Sequence, residues 1–106
     1  DAYLYPGDHD IAAVVYDGKL PVAITALTED QYTGNGLINV FVNSWYRGLN
    51  LANKTFDKVM EHSDHWEYII ASRVPVKMFK ARGYETVDMG CGYVDCQVFK
   101  NKNYKG

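Results

Sequence analysis

The segment that decides the fold is residues 36–61, GLINVFVNSWYRGLNLANKTFDKVME. Its first part, Leu37 to Val42, is a nearly continuous apolar run, which is typical of a strand covered on both faces of a sheet. From Asn50 to Glu61 the apolar residues instead recur at helical spacing, with Ala52, Phe56 and Met60 on one stripe. The segment therefore predicts a central strand that leads through a short junction into an amphipathic helix.

The sequence before this segment predicts an antiparallel hairpin. Apolar runs at 11–16 and 19–27 flank Asp17-Gly18, a pair that supplies the positive backbone dihedrals of a tight two-residue turn. Pro21 cannot donate to a ladder, so the second strand should meet solvent or a bulge at that point. Residues 1–10, DAYLYPGDHD, predict an irregular arm.

The sequence after the segment predicts a second strand and helix and then a closing hairpin. Residues 66–72 (WEYIIAS) are typical of a buried strand, and residues 74–82 predict a short helix that ends at Gly83. Two alternating runs within residues 84–100 predict a terminal antiparallel hairpin. The order β-β-β-α-β-α-β-β predicts an α/β (α+β) fold, a mixed sheet with flanking helices and one parallel pair joined by a right-handed crossover.

Length and composition limit the class of protein. A chain of 106 residues, 47% of them hydrophobic, fits one globular domain over residues 1–106. No apolar run approaches the roughly 18 residues of a membrane-spanning helix, and a formal charge of −2 argues against nucleic acid as a partner. Two cysteines, Cys91 and Cys96, are too few for a disulfide scaffold. We expect free thiols in a cytoplasmic setting, with a bond across the terminal hairpin as the alternative.

The junction between the central strand and the helix, residues 45–52 (WYRGLNLA), predicts an anion site. A strand that runs into a helix through small residues presents unpaired backbone N–H groups at the positive end of the helix dipole, where a pyrophosphate can bind. The junction resembles the acyl-CoA-binding loop of the GNAT superfamily of N-acetyltransferases, Arg/Gln-x-x-Gly-x-Gly/Ala. Arg47 and Ala52 match directly, whereas Asn50 stands where the family usually has glycine. Since Asn tolerates unusual dihedrals, we expect weakened rather than lost binding.

A second stretch, residues 76–87 (VKMFKARGYETV), is similar to the family's late helix and turn, commonly Tyr-x-x-x-Gly-Phe. Gly83-Tyr84 takes the Gly-Phe position, and Phe79 replaces the tyrosine that in the family often protonates the departing thiolate. A phenyl ring has no proton to give, so the usual general acid is absent and Phe79 is expected in the core.

The resemblance covers residues 11–99 and implies a GNAT-like fold with transfer of an acetyl group from acetyl-CoA, the co-substrate, to an amine acceptor. The family's N-terminal strand and helices are not matched, which implies a fragment or a reduced version of the fold. Backbone amides of residues 48–52 would hold the pyrophosphate, and the strand edge would pair with the pantetheine arm. The acyl-CoA-binding residues implied are Val42, Arg47, Gly48, Leu49, Asn50, Leu51 and Ala52.

Three residues are candidates for catalysis, because the acceptor amine must be made neutral near the ends of the two central strands. Glu29, beside Asp30, follows the hairpin and can contact an amine, or it is a solvated loop acid. Glu67 opens the second parallel strand and also fits a surface role. Ser72 ends that strand and can orient a water or a pantetheine amide, or it caps the next helix.

The histidines are weak evidence for a metal. His62-x-x-His65 with Asp64 has metal-like composition, as does the segment 8–10 (DHD), but neither has a third, distant ligand. We expect an exposed polar loop and arm and no metal site.

A second function remains open because of Asn50 and Phe79. Small phage proteins with this fold, including virion components, share the Phe-for-Tyr late helix. The alternative is therefore a non-catalytic binding or structural module, located in a virion. Nine tyrosines and two tryptophans are more than the core can hold. Aromatic residues at the surface favour protein contacts, so we expect a homo-oligomer or a component of a larger assembly.

Overall fold

The computed structural model describes residues 1–106 and contains a seven-stranded mixed sheet and two helices. The strands are β1 Tyr3–Pro6, β2 Ile11–Asp17, β3 Leu20–Glu29, β4 Gly36–Val42, β5 Tyr68–Ser72, β6 Thr86–Val87 and β7 Cys96–Lys100, and the helices are α1 Leu51–Glu61 and α2 Val74–Ala81. Their order in the sheet is β1-β2-β3-β4-β5-β7-β6, and only β4 and β5 run parallel. The predicted fold class and parallel central pair are confirmed. Neither helix is long and apolar enough to cross a bilayer.

Both helices pack on the same face of the sheet. The rings of Phe56 in α1 and Phe79 in α2 lie 4.9 Å apart, edge to face. Beneath α1, the buried hydroxyls of Thr25 in β3 and Thr55 share a hydrogen bond of 2.8 Å. The main core cluster joins these helices to Leu27, Ile38, Ile69 and Phe99 of the sheet. The apolar stripes of the two helices therefore bury the strand side chains that lie on this face.

The other face of the sheet carries no helix over β1 to β4, and we call it the open face. Side chains that lie opposite one another in the strand register share a face, which assigns to it Tyr3, Tyr5, Ala12, Val14, Tyr16, Ile24, Ala26, Thr28, Leu37, Asn39 and Phe41. Strand β4 is central, as predicted, but the prediction that both its faces are covered is wrong. Phe41 is 63% exposed because no element packs on its side of the strand.

Two local predictions near the N-terminus are also wrong. Residues 1–10 are not an irregular arm throughout, because Tyr3–Pro6 form β1 and pair with the outer edge of β2. The first hairpin is present, but Asp17 still pairs with Leu20, so the turn residues are Gly18 and Lys19 rather than Asp17-Gly18. The prediction that β3 meets solvent or a bulge at Pro21 is confirmed, because Pro21 is exposed and the register of the hairpin shifts between Val15 and Tyr16 of the partner strand, opposite it.

Cys91 and Cys96 form a disulfide, so the prediction of free thiols is wrong and the cross-hairpin alternative holds. The loop between them turns back through left-handed residues, Gly92 with φ 73° and Asp95 with φ 53°. This turn brings the two Cα atoms to 6.3 Å, within the range that a disulfide spans. Disulfides persist in oxidising surroundings, which disagrees with the reduced state inferred from the cysteine count.

Candidate functional site

The site begins where β4 ends and the chain turns toward α1. Residues Ser44–Tyr46 form one turn of 3-10 helix, which the Asn43 side chain caps by accepting a hydrogen bond from the Trp45 N–H at 3.0 Å. Gly48 then adopts φ +83° and Asn50 φ +62°, both left-handed, before α1 starts at Leu51. Asn50 thus adopts the kind of conformation that glycine favours, as expected from the tolerance of Asn for this region.

The backbone N–H groups of residues 47–53 donate no hydrogen bond within the protein. The first amide of the helix that finds a backbone partner is that of Lys54, which donates to the Asn50 carbonyl at 3.3 Å. The Asn50 side chain caps none of these amides and instead accepts a hydrogen bond from the Asn53 side chain. A helix with several free amides at its N-terminus concentrates positive partial charge there, which favours an anion.

These amides border a groove of about 680 Å³ between the end of β4 and the start of α1. Its lining residues are Val40, Phe41, Val42, Tyr46, Arg47, Gly48, Asn50, Leu51, Ala52 and Val74. The groove is lined by every predicted acyl-CoA-binding residue except Leu49. Leu49 is exposed beside it. At Gly48 an added Cβ would meet no atom within 4 Å, so the groove is open above that residue.

Three cationic side chains and one carboxylate lie around the groove, the carboxylate being that of Asp17, which accepts a hydrogen bond from the hydroxyl of the lining residue Tyr46. Arg47 is exposed and forms no ion pair, and Lys54 extends from the first turn of α1, where no acidic residue is present. Arg73 lies across the opening at the end of β5. The free amides are therefore accompanied by cationic side chains with no neutralising partner, which is the electrostatic setting that a diphosphate requires.

A second cavity of about 520 Å³ continues the groove between β4 and β5 and shares Val40 and Val74 with it. It exists because the two parallel strands pair only at Gly36 with Ile69 and at Leu37 with Ile70, and then diverge. Beyond Leu37, alternate backbone groups of β4 face this opening rather than a neighbouring strand. An extended ligand carrying amide groups can form hydrogen bonds to this edge in the manner of an added strand.

The three candidate catalytic residues do not come together. Ser72 lines the cavity between β4 and β5, and its hydroxyl donates to the Val94 carbonyl at 3.1 Å. It does not cap α2, and Arg73, the N-cap residue of that helix, provides no side-chain cap either. Glu29 pairs with Gly36 at the far end of β4, and Glu67 precedes β5 at the same end. Because β4 extends about 20 Å from that end to Val42, neither glutamate lies near the groove.

Tyr93 is a residue at the site that sequence reasoning missed. It lines the cavity between β4 and β5, and its hydroxyl donates a 2.6 Å hydrogen bond to Asp30, a buried residue. Asp30 also accepts hydrogen bonds from the hydroxyl and the backbone N–H of Thr33. Asp30, a neighbour of the candidate Glu29, therefore holds the loop between Cys91 and Cys96 against the sheet through Tyr93. Both of its carboxylate oxygens already accept hydrogen bonds. No local signal in the sequence links positions 30 and 93.

The ionisation of Asp30 leads to a prediction for stability. Hydrogen bonds from the Thr33 hydroxyl, and then from Tyr93, hold the pKa of Asp30 below its usual range. A carboxyl group with a depressed folded-state pKa stabilises the fold above its unfolded value of about 4. That contribution is lost as pH falls through the folded-state pKa. The free energy of unfolding of wild type should therefore drop more steeply below about pH 4 than that of Asp30→Asn.

Urea denaturation between about pH 7 and about pH 3 measures this difference. Tyr93→Phe removes one of the two hydroxyl donors to Asp30 and keeps the ring. Its free energy of unfolding should fall with acidification by an amount between those of wild type and Asp30→Asn. If the free energy of unfolding falls equally with pH in wild type and Asp30→Asn, Asp30 does not stabilise the fold through its charge.

Phe79 is fully buried, as predicted from its position in the late helix. Its ring packs against those of Phe56, Tyr84 and Phe99 at centroid distances of 4.9, 4.9 and 4.7 Å. Phe79 has no hydroxyl and no contact with the groove, so it cannot serve as an acid there.

The structure brings the two histidine-containing segments together. The rings of His9 and His65 stack at 3.9 Å, and they line a small cavity of about 110 Å³ with His62 and the neighbouring aspartates. No group of three or more His, Cys, Asp or Glu side chains is arranged to hold a metal ion.

Comparison with solved structures identifies the fold. Over 88% of this chain, an acetyltransferase of the GNAT family from Streptococcus pneumoniae matches with a TM-score of 0.62 and 13% identity. The ribosomal-protein-S5-alanine acetyltransferase from Vibrio fischeri matches over 93% with a TM-score of 0.59 and 16% identity. A GNAT-family acetyltransferase from Staphylococcus aureus matches over 86% with a TM-score of 0.56 and 15% identity.

The chain therefore has the fold of the GNAT superfamily of N-acetyltransferases. It spans 67%, 66% and 66% of the lengths of these three proteins, in the order given. No protein-family model matches the sequence, and neither does any curated protein.

Proposed function

We propose that this chain binds an acyl-CoA in the groove between β4 and α1 and transfers its acetyl group to an amine. The observation that carries the proposal is the run of free backbone N–H groups at residues 47–53, which borders a groove with cationic side chains. Support also comes from the fold, which the chain shares with acetyltransferases. The acceptor amine would enter from the cavity between β4 and β5.

The residues of the groove fit the parts of an acyl-CoA. The amides of residues 48–52 would bind the pyrophosphate, and the open space above Gly48 would let phosphate oxygens approach the backbone. Arg47 would add a charge-assisted hydrogen bond to a phosphate. The free edge of β4, up to Val42, would hold the pantetheine arm and direct the thioester toward Ser72 and the cavity beside it.

The rate of the chemical step would depend on how the amine and the thioester are positioned, and on backbone N–H groups that stabilise the oxyanion. The amine nitrogen attacks the thioester carbonyl, the C–N bond forms, the C–S bond breaks, and the amine proton leaves while the thiolate is protonated. Donors that are already oriented can stabilise the developing oxyanion without reorganisation. No acidic side chain lines either cavity. The acceptor must therefore arrive neutral or lose its proton to water.

Acetyl transfer to small primary amines tests the proposal. Below the pKa of the amine, kcat/KM should rise about tenfold per pH unit, because only the neutral amine reacts. When amines of different pKa are compared, the pH at which kcat/KM levels off should move with the pKa of the amine. A profile with a fixed inflection that is the same for all amines would show that a protein base acts instead.

A non-catalytic acyl-CoA-binding module is the second candidate, and a phage virion component would be one example. The absence of acidic residues from the groove and the burial of Phe79 favour it. Binding of acetyl-CoA with no product by mass spectrometry, over a range of amines, would select the module. Product formation that is lost in a variant unable to bind acetyl-CoA would select the enzyme.

A further inference from the structure

We infer that the amine acceptor also carries an anionic group, a carboxylate or a phosphate, and that Arg73 binds this group in the cavity between β4 and β5. The inference rests on the proposed acetyl transfer, because it names the class of acceptor for that site.

The backbone of Arg73 has an unusual conformation. Arg73 is the single residue between β5 and α2, and it has φ 64° and ψ −118°. The other non-glycine residues with positive φ are Asn50 and Asp95, whose short polar side chains tolerate this region. An arginine has no such tolerance. Residues that the surrounding structure holds in a sparsely populated conformation cluster at functional sites, so position 73 is a candidate for one.

The loop between Cys91 and Cys96 holds Arg73 in this conformation. The Arg73 N–H donates to the Asp95 carbonyl at 3.4 Å, and the Ser72 hydroxyl donates to the Val94 carbonyl at 3.1 Å. These two hydrogen bonds join the end of β5 to the loop. They therefore fix the backbone of Arg73 at the edge of the cavity.

The side chain of Arg73, in contrast, has no partner. Arg73 is exposed, and its guanidinium group forms no ion pair. The guanidinium of Arg82 already donates to the side chains of Asp57 and Asn53. Arg47 lines the groove, where it would bind the diphosphate, whereas Arg73 lines the cavity and not the groove. Arg73 is therefore the arginine that remains free to bind an acceptor.

The guanidinium of Arg73 is the one charged group that lines the cavity. The other lining residues are apolar or carry uncharged polar groups, as do Asn39, Ser72 and Tyr93. A polycationic acceptor would meet a like charge there with no carboxylate to offset it. A carboxylate or a phosphate would instead accept two parallel, charge-assisted hydrogen bonds from the planar guanidinium. The charge of the cavity therefore favours an amine that also carries an anion.

The position of Arg73 favours a small acceptor. Ser72, toward which the thioester would be directed, is the residue directly before Arg73. An amine that attacks beside Ser72 and an anionic group that binds Arg73 therefore fit one small molecule, in which a few bonds separate the two groups.

A comparison of matched acceptors tests the inference. Acetyl transfer to β-alanine is compared with transfer to β-alaninamide, which lacks the carboxylate, and each kcat/KM is corrected to the neutral amine. Wild type should favour β-alanine about tenfold or more, as expected for hydrogen bonds to a charged group. Phosphoethanolamine, measured in the same way, distinguishes the two anions, since a stronger preference for it would assign the anion as a phosphate.

Variants at position 73 locate the preference. Arg73→Gln removes the charge, and the ratio of kcat/KM for β-alanine to that for β-alaninamide should fall to about 1. Arg73→Lys keeps the charge and should retain part of the preference. Lys77→Gln is the matched control, since Lys77 is an exposed cation one turn further along α2 that lines neither cavity, and its ratio should equal that of wild type.

Two kinetic results would overturn the inference and leave the proposed function intact. One is a wild type that acetylates amines without favouring β-alanine or phosphoethanolamine over β-alaninamide. The other is a folded Arg73→Gln, checked by circular dichroism, that keeps the preference of wild type.

A binding measurement separates this inference from the proposed function. When ¹⁵N-labelled wild type with CoA is titrated with β-alanine or phosphoethanolamine, the amide resonances of Arg73 and Val94 should shift in a saturable way, and β-alaninamide should shift them far less. These shifts without any acetylated product would overturn the transfer reaction and support Arg73 as an anion site. Absence of the shifts with both anionic amines would overturn the inference, whether or not product forms.

Discussion

Replacing Gly48 with Glu should abolish the binding of acetyl-CoA. The new carboxylate would lie beside the free amides of residues 47–53, where the diphosphate is expected, and like charges at close range cost several kcal/mol. We expect the affinity to fall about 100-fold or more, and the rise in Tm that acetyl-CoA gives to wild type to disappear. Thermal unfolding with and without acetyl-CoA measures this effect.

The matched control for this variant is Gly34→Glu. Gly34 has φ +76°, close to the +83° of Gly48, and at both positions an added Cβ would meet no atom within 4 Å. Both substitutions therefore add the same charge and a similar left-handed strain, but Gly34 precedes β4 and lies at the opposite end of that strand. Gly34→Glu should keep the full Tm shift. If Gly48→Glu keeps it too, acyl-CoA does not bind at these amides.

Replacing Phe79 with Ala should have the largest effect on stability, a loss of about 3–5 kcal/mol. Phe79 is fully buried and contacts three aromatic rings that belong to α1, to β7 and to the turn after α2. Loss of its ring would leave a cavity in the layer between the helices and the sheet. Urea denaturation measures the change, and Tyr32→Ala, at an exposed aromatic residue, should stay within about 0.5 kcal/mol of wild type.

Phe79→Tyr separates a core role from a catalytic one. The added hydroxyl would enter a pocket of aromatic rings, and a buried, unsatisfied hydroxyl costs about 1–3 kcal/mol. We therefore expect lower stability and no gain in acetyl transfer. Faster turnover in Phe79→Tyr would show that position 79 reaches the reacting groups, which would contradict its placement in the core.

The fold could be predicted from short-range patterns because each element carries its own signal. The helical stripe of Ala52, Phe56 and Met60 and the apolar run 37–42 are both local, and the parallel pair follows from their order along the chain. The free amides of Leu51, Ala52 and Asn53 follow from the same local pattern, since any helix leaves its first N–H groups without a partner. Those of residues 47–50 belong to the loop before the helix, and the helical pattern does not predict them.

The features that could not be predicted depend on contacts distant in sequence. Tyr93 reaches Asp30 across 63 positions, and His9 stacks on His65 because β1 and β2 bring the N-terminal segment beside the turn before β5. The apolar run of β4 predicts burial, but whether both faces are covered depends on where the two helices pack. Phe41 is exposed because both pack on the other side.

The central claim is that the amides between β4 and α1 bind a diphosphate, and a nuclear magnetic resonance titration of ¹⁵N-labelled protein with CoA tests it most directly. The account predicts that the amide resonances of Gly48, Leu49, Asn50, Leu51 and Ala52 shift in a saturable way, while those of Glu29 and Glu67 do not move. Saturable shifts elsewhere, with the resonances of residues 48–52 unchanged, would contradict it.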